Sequence, residues 1–195
     1  MVKTPDEIAL MRQSGKLLAA VFEMLDTQDL AGQSTLQVND LVERFITVDL
    51  AARPASKGQY GFQYVLNSSI NHVVCHGVPS ADEIIADGDI VNLDITLEKN
   101  GFIADSSKTY VVGTASPAAR RLVRVTQEAM WKGIGAVRPG ARLATSALRS
   151  SGMRRRTAMR WCAIMPDTGS VAKCMRSRPC STSGAPAPAW CCARG

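Results

Sequence analysis

Apolar side chains recur at helical spacing in three segments of the chain. The first segment begins after Thr4, where Pro5 suits the first helical position and Glu7 completes a capping box with Thr4. A second helix is predicted after Thr35, and a third over residues 116–137, because apolar residues return there every three to four positions. The pattern thus predicts a strand-forming region enclosed between helices.

Between the second and third helices the pattern changes to the period of two that is typical of β-strands. Residues 90–97 are predicted as a strand on this basis, and residues 102–112 as its return strand. Residues 64–70 and 73–75 are predicted as short strands because they are largely apolar. In residues 90–97 one face is apolar and the other polar: Val91, Leu93, Ile95 and Leu97 against Asn92, Asp94 and Thr96. The predicted fold class is therefore α/β (α+β), with a mixed or antiparallel sheet flanked by helices.

The dipeptide Asn100-Gly101 is a strong signal for a two-residue hairpin turn. With these residues in the turn, Thr96 lies opposite Asp105, and Asp94 becomes a diagonal neighbour of Asp105 on the same face. Such neighbours lie about 5–8 Å apart, within reach of one shared cation, which would relieve the repulsion between two carboxylates. The pairing alone leaves a metal site and a pair of solvated surface acids equally open, and the mid-strand position of Asp94 favours the metal site.

His76 lies in the segment 75–79, Cys-His-Gly-Val-Pro, where a predicted strand runs into a turn. A lone histidine in such a place is more often structural, although an imidazole there can also donate a hydrogen bond to a developing oxyanion. Cys75 has no CxxC partner, and His72 has no carboxylate or cysteine at a spacing typical of metal ligands, so we interpret His72 as a surface residue.

Composition divides the chain near Leu143. The net charge of +6 is uneven: residues 144–195 hold nine basic side chains and one acid, whereas residues 1–143 hold 14 basic and 16 acidic ones. Five of the six cysteines also follow residue 143, and the remaining one fits a reducing compartment rather than a disulfide framework. With no secretory h-region and no run long enough to cross a bilayer, we expect a cytoplasmic protein without membrane attachment. Residues 144–195 show no sustained periodicity, and we expect them to be disordered.

Three motifs, in order, resemble bacterial type I methionine aminopeptidases: Asn-His-Val-Val-Cys-His-Gly-Val-Pro at 71–79, Asp-Gly-Asp-Ile-Val-Asn-Leu-Asp-Ile-Thr at 87–96 and Asp-Ser-Ser-Lys-Thr at 105–109. The resemblance implies the two-fold pseudosymmetric pita-bread fold, with residues 1–143 forming an incomplete, N-terminal part of it. It also implies removal of the initiator methionine from nascent chains at the ribosome, by a monomer that uses two divalent ions (Co, Mn, Fe or Zn).

Carried over by position, the resemblance makes Asp94 and Asp105 metal ligands and makes His76 a contact to the substrate and its tetrahedral intermediate. Tyr60 and Phe62, together with Cys75, would line the methionine pocket. The family needs five metal ligands, the other three being a histidine and two glutamates later in the chain. No histidine follows His76, and no glutamate follows Glu128.

The family also carries two later motifs, Gly-His-Gly-Ile-Gly and His-Glu-Glu-Pro, which are absent from this sequence as written. Both motifs can be read in a shifted frame, in which the third base of each codon joins the first two bases of the next. Some products are forced, such as Ala from Met165-Pro166 and Val from Trp161-Cys162. Residues 166–178 can then read Gly-His-Gly-Ile-Gly-Arg-Glu-Met-His-Glu-Glu-Pro, which contains the family's two later motifs. Our hypothesis is a one-nucleotide slip near Leu143, which makes residues 144–195 an out-of-frame tail and leaves this chain inactive.

Two alternatives remain at the level of sequence. In the first alternative, the basic tail binds nucleic acid in a non-catalytic protein. We expect nucleic acid not to be a partner, because a GC-rich gene read in a shifted frame encodes many arginines without any selection for binding. A proline-specific peptidase or creatinase-like relative is disfavoured by the short N-terminal region and the Cys-His-Gly-Val-Pro segment. Because the pseudosymmetric fold packs one half against the other, we further expect an uncovered apolar sheet face and marginal stability.

Overall fold

The computed structural model describes residues 2–142 together with Thr145 and Gly152. The expectations for residues 144–195 therefore fall, apart from those two positions, outside the described residues. The chain divides into two compact units, residues 1–115 and residues 116–195, and each is described separately below.

The first helix, α1 (Pro5–Asp26), begins as predicted. The Thr4 hydroxyl accepts the Glu7 N–H at 3.2 Å, and the Glu7 carboxylate accepts the Thr4 N–H at 2.8 Å. These two bonds satisfy N–H groups that have no partner within the helix, so the capping box is confirmed. The Thr4 cap and Pro5 thus fix the start of the helix.

The second helix, α2 (Thr35–Arg44), is capped by Ser34 and continues into a π-helical turn, Phe45–Asp49. The Ser34 hydroxyl accepts the Gln37 N–H at 3.1 Å, which makes Thr35 the first helical residue. The predicted start after Thr35 is wrong by one residue, because the sequence offers two adjacent hydroxyl side chains and only Ser34 has the extended backbone of a cap.

Four antiparallel strands form one sheet: β1 (Arg53–Pro54), β2 (Leu66–Ile70), β3 (Ile90–Lys99) and β4 (Phe102–Val111). The long strand β3 pairs with β4 along one edge and with β1 and β2 along the other. The strand predicted at residues 73–75 is wrong. Asn71 has a left-handed backbone (φ 50°), and the Val73 N–H bonds back to the Ile70 carbonyl, so the chain turns out of the sheet there.

The β3–β4 hairpin has the predicted register, with Lys99 opposite Phe102 and Thr96 opposite Asp105. Asn100 and Gly101 both have positive φ, 54° and 80°, which is the backbone of a type I′ turn. The turn chemistry therefore fixes which side chains of the two strands stand opposite each other.

The core lies between one face of the sheet and the helices α1 and α2. The inward side chains of β3 are fully buried: Val91, Leu93, Ile95 and Leu97. Ser14 of α1 is also buried, and its hydroxyl donates to the Phe102 carbonyl at 2.8 Å, tying the helix to the hairpin. Asn39 of α2 accepts the Val65 N–H at 2.9 Å and so fixes the chain just before β2.

The opposite face of the sheet is polar. The strand register brings these side chains onto it: Asn67, Ser69, Asn92, Asp94, Thr96, Asp105, Ser107 and Thr109. The expectation of an apolar uncovered sheet face is wrong for the centre of this face, because the apolar row of β3 is covered by α1 and α2. Two exposed apolar side chains, Ile103 and Val111, lie at the ends of the face. This polar face carries the candidate site.

The second unit contains α3 (Pro117–Ile134), capped by Ser116, whose hydroxyl accepts the Ala119 N–H at 3.2 Å. The helix ends three residues before the predicted Val137, where the glycines Gly133 and Gly135 weaken helical propensity. Within the part of the chain that the structure describes, no helix is both long enough and apolar enough to cross a bilayer.

Candidate metal centre

Asp94 and Asp105 lie on the polar face of the β3–β4 hairpin. Asp105 stands directly opposite Thr96, and Asp94 stands directly opposite Ser107 on one side and Asn67 on the other. The Thr96 hydroxyl donates to the Asp105 carboxylate at 3.4 Å. The two aspartates are thus diagonal neighbours on one face, as the hairpin register predicts.

The electrostatics of Asp94 show that the two carboxylates interact. Burial, and then the negative charge of Asp105, raise the pKa of Asp94, while His76 acts in the opposite direction. Asp94 is half-buried among polar side chains, so its ionised form is incompletely solvated. A cation between the carboxylates would stabilise the ionised form of Asp94 and offset its repulsion by Asp105.

His76 lies close enough to Asp94 to lower the pKa of that carboxyl. It is exposed, and its backbone is left-handed (φ 55°), a conformation that non-glycine residues adopt at a cost. Backbone strain of this kind is often found where a side chain is held for a function. The structure therefore brings the predicted histidine to the same site as the two aspartates.

Cys75 also lies near Asp94. Burial raises the pKa of the Cys75 thiol, and the charge of Asp94 raises it further. A thiol held in its neutral form is a poor nucleophile and a poor metal ligand. This environment favours a packing role for Cys75 beside the site.

The predicted pocket aromatics lie in a turn before β2. Tyr60 has a left-handed backbone (φ 49°) and a fully exposed side chain. Phe62 is half-buried and packs edge-on against Tyr64, with ring centroids 5.6 Å apart. The structure does not enclose Tyr60, and the pocket role of Tyr60 and Phe62 stays a prediction.

The donor chemistry of the site fits a divalent ion only in part. Carboxylates suit hard and borderline cations, and Asp94 and Asp105 supply two of them. Among the described residues there is no group of three or more His, Cys, Asp or Glu side chains that could hold a metal. The two aspartates fit as part of a ligand set, which the described residues do not complete.

Sequence patterns placed neither Asn67 nor Ser69 beside the two aspartates. Asn67 stands opposite Asp94, and Ser69 stands opposite Asn92 on the same face. The register between β2 and β3 determines both positions, and no turn signal in the sequence fixes it, because a long loop joins these strands. Only the paired strands reveal that these residues border the aspartates.

The sequence model of metallopeptidase family M24 matches residues 9–149. The methionine aminopeptidase of Escherichia coli (strain K12) is 39% identical over 142 residues, which are 73% of this chain and 54% of that protein. Methionine aminopeptidase A of Synechocystis sp. is 42% identical over 137 residues, 70% of this chain and 54% of that protein. This chain therefore spans about half the length of these relatives.

Solved structures give the same result. The methionine aminopeptidase from Rickettsia prowazekii superposes with a TM-score of 0.77 at 37% identity, covering 80% of this chain and 62% of that chain. The enzyme from Thermotoga maritima gives a TM-score of 0.76 at 31% identity, covering 80% and 63%. The fold is the predicted pita-bread architecture, seen here as an antiparallel sheet flanked by helices. The chain belongs to metallopeptidase family M24.

Proposed function

We propose that the chain derives from a methionine aminopeptidase, which removes the initiator methionine from nascent proteins with the aid of divalent metal ions. The observation that carries the proposal is the placement of Asp94, Asp105 and His76 at one site on the polar face of the sheet. The relatives that match most of the described chain carry this name.

Two side chains would hold the ions. Asp94 and Asp105 face the same side of the hairpin, and the unfavourable ionisation of Asp94 in the metal-free protein favours cation binding there. Two bound divalent ions (Co, Mn, Fe or Zn) would activate water and polarise the scissile carbonyl. Thr96 would orient Asp105 by donating a hydrogen bond to it.

His76 would act on the substrate rather than on the ions. Its exposed imidazole lies near Asp94 and would donate a hydrogen bond to the oxygen on which negative charge develops. Phe62, Tyr60 and Cys75 would contact the methionine side chain. We further propose that the substrates are N-terminal methionyl peptides of nascent chains at the ribosome, and that the protein is a cytoplasmic monomer.

We propose that this 195-residue chain is inactive, because it carries two of the five ligands that the family uses. The remaining three would be encoded in the shifted frame after about Leu143. The nucleotide sequence tests this directly: codons 144–195, read one base out of frame, should encode the Gly-His-Gly-Ile-Gly and His-Glu-Glu-Pro motifs. A shifted frame without them would reject the slip.

The activity test compares the 195-residue chain with a frame-restored enzyme, defined as residues 1–143 followed by the shifted-frame product. We expect no methionine release from a Met-Ala-Ser peptide by the former and metal-dependent release by the latter. Asp94→Asn and Asp105→Asn should abolish the restored activity. Asp82→Asn, the same change at an exposed acid, should leave it intact. A restored enzyme without activity would contradict the proposed function.

A second candidate is a non-catalytic protein that binds nucleic acid. It is favoured by one observation, the nine basic residues against one acid in residues 144–195. Salt-dependent RNA binding that is lost on deleting residues 144–195 would support it. An absence of binding at low ionic strength would exclude it.

A further inference from the structure

Two adjacent serines of β2, Ser68 and Ser69, are almost completely buried, with 1% and 4% of their surface exposed, but they differ in what they bind. The Ser69 hydroxyl accepts the N–H of Gly77 at 3.2 Å. The Ser68 hydroxyl has no hydrogen-bond partner among the described residues. The Ser69 hydroxyl therefore holds the residue that follows His76, whereas the Ser68 hydroxyl does not.

Gly77 is fixed against β2 at both of its polar backbone groups. Its N–H is bound by the Ser69 hydroxyl, and its carbonyl accepts the Ser68 N–H at 3.0 Å. The approach is so close that a Cβ on Gly77 would lie 1.8 Å from the Ser68 carbonyl oxygen. A glycine is required at this position, and its backbone has little freedom to shift.

The two hydrogen bonds that join Gly77 to Ser68 and Ser69 form what we call the clamp. His76 immediately precedes it and has a left-handed backbone, with φ 55°. That conformation costs free energy in a residue with a Cβ, so it persists only where neighbouring bonds hold it. On the described chain, the bonds that follow His76 most closely are the two made by Gly77. Loss of the Ser69 hydroxyl would remove the hydrogen bond to the Gly77 N–H and leave that N–H without a partner in a partly buried position.

The clamp also places His76 with respect to the aspartates. Ser69 stands opposite Asn92, on the same face of the sheet as Asp94. His76 is held one residue before Gly77, which is bonded to β2 at Ser68 and Ser69, next to the point where Asn67 of β2 pairs with Asp94. The geometry thus connects the Ser69 hydroxyl, through the Gly77 N–H, to the position of the imidazole at the site.

We propose that Ser69 is a positioning residue, whose hydroxyl holds the Gly77 N–H and thereby keeps the His76 imidazole beside Asp94. This inference deepens the proposed function and rests on it for the catalytic role of His76. The backbone part of the inference is independent of activity and can be measured on the 195-residue chain itself.

The first experiment is a comparison of heteronuclear NMR spectra of the 195-residue chain and four variants. The chain has two histidines, so the His72→Gln variant assigns the signals of His76. We expect Ser69→Ala to move the Gly77 amide proton upfield and to move the His76 Cα and Cβ shifts away from left-handed values. Ser69→Thr, which keeps the hydroxyl, should restore them, and Ser68→Ala should leave them unchanged.

The inference is overturned by a Ser69→Ala chain that keeps the parent Gly77 and His76 shifts. If such a chain also loses thermal stability, the role of Ser69 is purely structural. Where Ser69→Ala does not fold, Ser69→Cys is measured instead, since it is nearly isosteric and its sulfur is a weak acceptor. An unchanged Gly77 amide shift in Ser69→Cys would equally overturn the inference.

The second experiment measures the frame-restored enzyme. We expect Ser69→Ala to lower kcat by about 10- to 100-fold, as a displaced catalytic group does, with KM changed less than about two-fold. Ser68→Ala should keep the parent kcat. A Ser69→Ala enzyme with the parent kcat overturns the positioning role. If the restored enzyme itself releases no methionine, the proposed function fails, while the NMR comparison still decides whether Ser69 holds His76.

Discussion

Thr96 and Asp105 stand directly opposite each other on β3 and β4, with the threonine hydroxyl 3.4 Å from the aspartate carboxylate. This pairing places Asp94 as the diagonal neighbour of Asp105, two residues along the same face. The relationship depends on the two-residue turn Asn100-Gly101, whose left-handed backbone sets the register. A turn at the tip of the hairpin therefore determines the spacing of the two candidate ligands.

Gly101→Val should disrupt this register. Gly101 has φ 80°, a region that a β-branched residue enters only at a cost of about 1–3 kcal/mol. We therefore expect Gly101→Val to unfold at a lower urea concentration than the parent chain. Asn100→Gly at the adjacent turn position, where φ is 54°, should change stability by less than about 0.5 kcal/mol. Equal stability of Gly101→Val and the parent would contradict a turn-determined register.

Asp94→Asn should stabilise the metal-free chain at pH 7. Burial and Asp105 raise the pKa of Asp94, so the folded state loses stability as pH rises from the ordinary carboxyl range through this raised pKa. Asparagine removes the charge, and relief of a like-charge pair is worth about 0.2–1 kcal/mol.

Urea unfolding in the presence of a chelator checks this prediction. The gain for Asp94→Asn should be present at pH 7 and absent below the ordinary aspartate pKa of about 3.9, where the parent carboxyl is already neutral. Asp82→Asn, at an exposed acid, should show no comparable gain. A less stable Asp94→Asn at pH 7 would show that the two carboxylates do not repel in the folded chain.

The sequence predicted the hairpin and its paired aspartates because every step is local: an alternating strand, a Gly-containing turn and a return strand. It did not predict the clamp on Gly77, since the Ser69–Gly77 bond joins a strand to a loop whose path has no periodic signal. It also assigned residues 73–75 to a strand on apolar character alone. The backbone turn at Asn71 prevents that pairing.

Gly77→Ala should be strongly destabilising. The added Cβ would lie 1.8 Å from the Ser68 carbonyl oxygen, so backbone must move, at a cost of about 1–3 kcal/mol. Gly15→Ala is the matched control, because nothing lies within 4 Å of a Cβ at that position of α1. There we expect stabilisation of about 0.5–1 kcal/mol. Thermal unfolding of both variants measures the contrast, and a neutral Gly77→Ala would contradict the close approach.

Ser68→Ala should be neutral or stabilising by up to about 1 kcal/mol, because it removes a buried hydroxyl without a partner among the described residues. Ser14→Ala makes the same change at a buried serine whose hydroxyl donates to the Phe102 carbonyl at 2.8 Å. That variant should lose about 1 kcal/mol. Equal losses for the two variants, measured by urea unfolding, would show that Ser68 has a partner in solution.

The most direct measurement is anomalous X-ray scattering from crystals of the frame-restored enzyme grown with Mn²⁺. The central claim is that Asp94 and Asp105, set side by side by the hairpin, hold divalent metal. We expect anomalous peaks against both carboxylates, with oxygen-to-metal distances of about 2.0–2.3 Å. Peaks at other side chains, with Asp94 and Asp105 free of metal, would contradict the claim.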